Sequence, residues 1–74
     1  MVVRDGAAIR KGRLNALMKL VMDHEEEPEW TRRRVVGTFI LQTGLKTRTI
    51  NEMIGELIDA GIMSNKGDKL HMEI

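Results

Sequence analysis

Two apolar stripes of helical spacing, separated by one glycine, constrain this chain more than any other feature. They lie in the run from Thr31 to Met63, TRRRVVGTFILQTGLKTRTINEMIGELIDAGIM. Val35, Val36, Phe39 and Ile40 form the first stripe, and Ile50, Met53, Ile54, Leu57 and Ile58 the second. Recurrence at three and four residues puts each set on one helical face. Gly44 stands between them, where a helix end needs a residue that tolerates φ > 0. The expectation is two short helices meeting at a tight corner. Arg48, Asn51, Glu52, Gly55, Glu56 and Asp59 then face away from the apolar side of the second helix.

The flanking residues extend this plan. Thr31 is a good N-cap for a helix over Arg32 to Gln42, and Trp30 before it can staple onto Val35. The next helix has two candidate starts: a cap at Thr47, or a capping box formed by Thr49 with Glu52 three residues on. Gly61 suits the C′ position that closes it, and Ile62 and Met63 resume as a strand. Ser64-Asn65-Lys66-Gly67-Asp68 is rich in turn formers. Leu70, Met72 and Ile74 alternate with His71 and Glu73, so the chain is expected to finish in a β-hairpin. Upstream, Leu14, Leu17, Met18 and Val21 share a face, predicting a first amphipathic helix that runs to about His24. Pro28 and the glutamates around it end that helix in a loop over Glu25 to Glu29. Residues 1–13 read as an N-terminal arm or the frayed start of the first helix, with helix beginning near Ala7 to Lys11, and 14–74 as a single domain.

With 74 residues, one core is near the size that is marginal without disulfides, metals or oligomerisation, so a homodimer is expected. Hydrophobic residues at 42% and charged residues at 31% suit a packed domain rather than a disordered one. Cysteine is absent, which excludes thiolate metal sites and disulfide staples. The start, MVVRDGAAIRKGR, has no apolar leader core, and no run approaches the roughly 18 apolar residues of a membrane span. A soluble cytoplasmic protein without membrane association is expected.

Charge is more informative in its distribution than in its total of +1. Asp23, Glu25, Glu26, Glu27 and Glu29 crowd into one short segment. Between Trp30 and Asn51, Arg32, Arg33, Arg34, Lys46 and Arg48 occur with no acid among them. This asymmetry is the footprint expected of a phosphate-binding face, although a charge run taken alone is more often a solvated surface.

Three helices followed by a hairpin resembles the order of the winged-helix family, a winged form of the helix-turn-helix. The carrying residues are Gly44 and Leu45 at the corner, Thr49 and Ile50 one turn on, Leu57, the Gly61-Ile62 exit, and the hairpin around Asn65 to Lys69. The resemblance covers roughly residues 14 to 74. It implies a mainly α fold with a small hairpin, the third helix in the major groove of double-stranded DNA, the second bracing it on the backbone, and the hairpin as wing. Lys46 departs from the serine common at its position, Gly55 sits mid-helix, and no helix follows the wing. A sequence-specific transcriptional regulator is the function implied. The rival is a winged-helix module for protein–protein interaction, using the acidic loop and the exposed helix.

On the DNA reading, Arg48 and Asn51 are candidates for base edges, their chemistry suiting guanine and adenine respectively, with Thr47 and Glu52 next. Glu52 is equally explained as a capping partner, and exposed arginine and asparagine are commonplace on helices. Arg32, Arg33 and Arg34 occupy a helix first turn, where cations are disfavoured by about 0.3 to 1 kcal/mol each. Phosphate binding justifies that placement, and so does neutralisation by the nearby glutamates. Lys46, Lys66 and Lys69 are further phosphate candidates, or simply solvated. Gly55 costs about 1 kcal/mol relative to alanine, so either DNA or a protein element is expected to approach it closely. His24 and His71 have no cysteine to join them, so no metal site or cofactor is expected. With Ser64 as the only serine, in a turn, and no phosphate-cradling glycine motif, neither is catalysis. No small-molecule effector is evident. The methionines fall mainly at core spacing.

Overall fold

The computed structural model describes residues 6–73. Its elements run α1 (Gly6–His24), α2 (Arg32–Thr43), α3 (Thr47–Asp59), β1 (Met63–Lys66) and β2 (Lys69–Met72). This is a mainly helical helix-turn-helix followed by a two-stranded wing, the architecture expected from the sequence. Met1 to Asp5, where the expected arm begins, and Ile74 lie outside the described residues. The segment from Gly6 to Arg13 is part of α1, which makes that helix 19 residues long.

Three of the helix ends have a clear local cause. Thr31 caps α2, its hydroxyl accepting from the Arg34 N–H at 3.3 Å. Gly44 ends α2 at φ 74°, and its N–H donates to the Ile40 carbonyl at 2.8 Å. That left-handed step turns the chain into α3 within three residues. At the far end, Gly61 has φ 76°. Its N–H donates to the Ile58 carbonyl and that of Ile62 to Leu57, both at 3.0 Å, the paired bonds of a Schellman motif. The start of α3 differs from both expectations, a cap at Thr47 and a capping box at Thr49, because Thr47 is already the first helical residue. Lys46 is the N-cap, in extended conformation and without a side-chain bond, so Thr49 already lies inside the first turn. Glu52 pairs instead with Arg48.

The hairpin pairs Met63 with Met72 and Lys66 with Lys69. Gly67 at φ 63° followed by Asp68 makes a two-residue turn of the kind whose twist matches the strands. Leu70 and Met72 are buried between exposed or half-buried neighbours, as the alternation predicts.

One core unites all five elements. Leu17, Leu20 and Val21 of α1 meet Val35, Val36 and Phe39 of α2, the four buried residues of α3, and Met63, Leu70 and Met72 of the wing. Phe39, Ile50 and Ile54 are fully buried. Among the described residues no polar side chain is buried, and no helix is long and apolar enough to cross a membrane.

Candidate nucleic-acid interface

Burying Ile50, Met53, Ile54 and Leu57 turns the opposite face of α3 away from the core. Arg48, with 91% of its side-chain surface exposed, stands in the middle of that face beside Glu52, to which its Nε donates at 3.3 Å. One edge of the face is tied to α1, where the Arg10 guanidinium bonds the Glu56 carboxylate. That bond and the adjacent negative charge raise the Arg10 pKa above its already high ordinary value. The other edge is tied to α2 and the wing by Arg32.

Arg32 is the hub of this edge. Its backbone N–H donates to the Asp68 carbonyl at 2.7 Å, fastening the first turn of α2 to the wing tip. Its Nη2 donates to Asn51 Oδ1 at 3.2 Å and its Nη1 to Asn65 Oδ1 at 3.3 Å. Between these elements lies an open groove lined by Thr31, Arg32, Arg33, Val36, Thr47, Asn51 and Asp68. Donors from α2 and α3, and the Asp68 carboxylate from the wing turn, therefore border one concave surface.

The three consecutive arginines separate into different roles. Arg32 is half-buried and bonded as described, whereas Arg34 lies over the Trp30 ring, 5.1 Å from its centroid. Trp30 in turn stacks on His24 with centroids 3.7 Å apart. Arg33 is exposed and, among the described residues, has no ionic partner. The same holds for Lys46, just ahead of Thr47, and for Lys66, beside the wing turn.

Lys69 points elsewhere. Its Nζ donates to the Glu25 carbonyl at 2.7 Å and the Glu27 carbonyl at 2.9 Å. The Glu25 carboxylate also takes the Met72 N–H at 3.3 Å and contacts His71 Nδ1, while Glu27 contacts His24. Part of the acidic loop is thus a strap on β2, leaving Glu26 and Glu29 exposed. No signal in the sequence pointed to this, since each contact spans more than forty residues.

Gly55 is half-exposed on the outward face of α3, and a Cβ built there meets nothing within 4 Å. No element of the described chain needs the room that this glycine leaves. Among the described residues, no group of three His, Asp or Glu side chains comes together as a metal site. Compared with known protein families, with characterised proteins and with solved structures, the chain matches none.

Proposed function

We propose that this chain binds double-stranded DNA sequence-specifically, as a small cytoplasmic transcriptional regulator. The outward face of α3 enters the major groove, and the start of α2 and the wing hold phosphates. The observation that carries the reading is the set of exposed cations around the groove beside α3. Arg33 lines it, Lys46 adjoins Thr47 on its wall, and Lys66 lies two residues from Asp68 on its rim. Among the described residues none of the three forms an ion pair, although Lys66 has a carboxylate, that of Glu73, near enough to feel its charge. Their charge is therefore available to phosphate. Arg48, Thr47, Asn51 and Glu52 are then placed towards base edges. Arg32 serves by holding α3 and the wing together, and Lys69 by holding the wing to the acidic loop.

Binding as a homodimer through the N-terminal half of α1 belongs to the same reading, because Ile9 is about half exposed there. Two half-sites would then be read by symmetry. Sedimentation that finds only monomer at high micromolar concentration, both free and on DNA, removes the dimer.

Titration of duplex DNA across a range of salt tests the whole. Log affinity is expected to fall linearly with log salt at about 0.9 per phosphate, with roughly four to six contacts per protomer. Arg33→Ala and Lys66→Ala should each lower the slope by about 0.9 while leaving the ranking of DNA sequences unchanged. A flat response to salt overturns the proposal and favours a protein-interaction module.

A further inference from the structure

The residue type at position 51 suits adenine, because a free carboxamide offers one acceptor and one donor to match adenine's amino group and N7. In this fold the carboxamide is not free. Arg32 Nη2 lies 3.2 Å from Asn51 Oδ1. Arginine has five N–H donors and no acceptor, so the amide orientation is not arbitrary: its oxygen must face the guanidinium. Asn65 is oriented by the same guanidinium at 3.3 Å.

Arg32 itself is held firmly enough to impose this. It sits in the first turn of α2, tied through its N–H to the Asp68 carbonyl at 2.7 Å, and it is half-buried. The Asn51 nitrogen has no protein partner among the described residues, and no unpartnered side-chain nitrogen or oxygen there is buried. That nitrogen is therefore not sealed from solvent, and Asn51 lines the groove.

Resting on the reading of α3 as the DNA-facing helix, we infer that Arg32 presents Asn51 to DNA as a hydrogen-bond donor only, so that Asn51 selects guanine over adenine. Guanine's N7 and O6 are both acceptors. Adenine's N6 amino group would meet an oxygen already engaged by a cation, with the guanidinium's positive charge repelling its protons. Arg32 is here a positioning residue: it sets which end of Asn51 the base meets.

The position read by Asn51 is found by selecting bound duplexes from a random pool with the wild type and with Asn51→Ala, and taking the position whose preference the variant loses. Guanine is expected there, by about tenfold over adenine. Arg32→Met keeps an unbranched side chain of similar reach but removes the donors, freeing the Asn51 oxygen, and should move that position towards adenine. Asn51→Asp keeps an oxygen on Arg32 while turning the outward group into an acceptor. It should move the position towards cytosine, whose amino group donates. Should Arg32→Met fail to fold, Asn51→Asp still decides, since it strengthens the bond to Arg32. Adenine preferred by the wild type, or guanine retained in Asn51→Asp, overturns the inference while leaving α3 as the reading helix. Wild-type protein that binds no duplex with any sequence preference overturns that reading itself, and the inference with it.

Discussion

The ammonium of Lys69 on β2 bonds the carbonyl of Glu25 at 2.7 Å, fastening the wing to the loop that follows α1. A second bond, to the Glu27 carbonyl at 2.9 Å, completes the strap. A half-buried cation that satisfies two carbonyls acts on stability first. Lys69→Met, which keeps much of the aliphatic stem, should destabilise the free protein by about 1.5 to 3 kcal/mol, because the carbonyls lose a charged donor. Urea unfolding reads this as a lower midpoint at unchanged slope. Unchanged stability, with a loss of DNA affinity, would instead make Lys69 a phosphate contact.

A second prediction concerns Glu73. The Ser64 hydroxyl donates to its Oε1 at 2.6 Å, and this bond holds the carboxyl below the usual glutamate range against the opposing effect of burial, with lesser help from the charges of His71 and Lys66. A carboxyl whose pKa is lowered by folding contributes stability above the unfolded glutamate pKa. That contribution is lost as pH falls through the folded value. Ser64→Ala should therefore raise the Glu73 titration midpoint, measured by carboxyl NMR. Its melting temperature should fall below the wild type's at neutral pH and converge with it in acid. An unmoved midpoint would show that the hydroxyl does not hold the carboxylate.

How much of this was legible beforehand follows from how local each cause is. Gly44 and Gly61 end their helices at φ 74° and 76°, and the turn at Gly67 closes the hairpin, because such steps depend on a few adjacent residues. The apolar faces of α2 and α3 were readable for the same reason. The Thr49–Glu52 pair misled in its turn: it matches a capping box in isolation, but α3 begins at Thr47, so Thr49 is already helical. In α1 the core uses Leu20 as well as Leu17 and Val21, while Leu14 and Met18 are only partly buried. Arg32 was the least legible. Its identity suggests a phosphate contact, whereas its partners Asn51 and Asn65 lie 19 and 33 residues away and are set by the packing of α2, α3 and wing.

Gly55 yields a third prediction. Because an added Cβ meets nothing within 4 Å, Gly55→Ala should stabilise the free protein by about 0.5 to 1 kcal/mol, as expected for an unhindered helix position. DNA affinity should fall at the same time if the bare backbone lets the duplex approach α3. Thermal melting and binding measured on the same variant separate the two effects. A gain in stability with affinity unchanged would remove DNA approach as the reason for the glycine and point to a protein element on that face.

Arg48 is the position where function and stability separate most cleanly. It is almost wholly exposed, and its one side-chain bond among the described residues, to Glu52 at 3.3 Å, is an exposed pair one helical turn apart. Such pairs contribute about 0.3 to 0.5 kcal/mol at most sites, and alanine is the better helix former, so Arg48→Ala should leave the free protein's stability within about 0.5 kcal/mol of the wild type. The effect on DNA depends on what the guanidinium meets. If it is bidentate to guanine, alanine should cost about 1 to 3 kcal/mol on the preferred site and relax the preference at one base position only. Glu52→Gln, which releases the guanidinium from its carboxylate, should tighten binding at that position rather than weaken it. Binding to the preferred duplex and to single-base variants of it, at two salt concentrations, decides between the contacts. A uniform loss across all duplexes, with the salt slope reduced by about 0.9, would place Arg48 on a phosphate and leave base readout to its neighbours on α3.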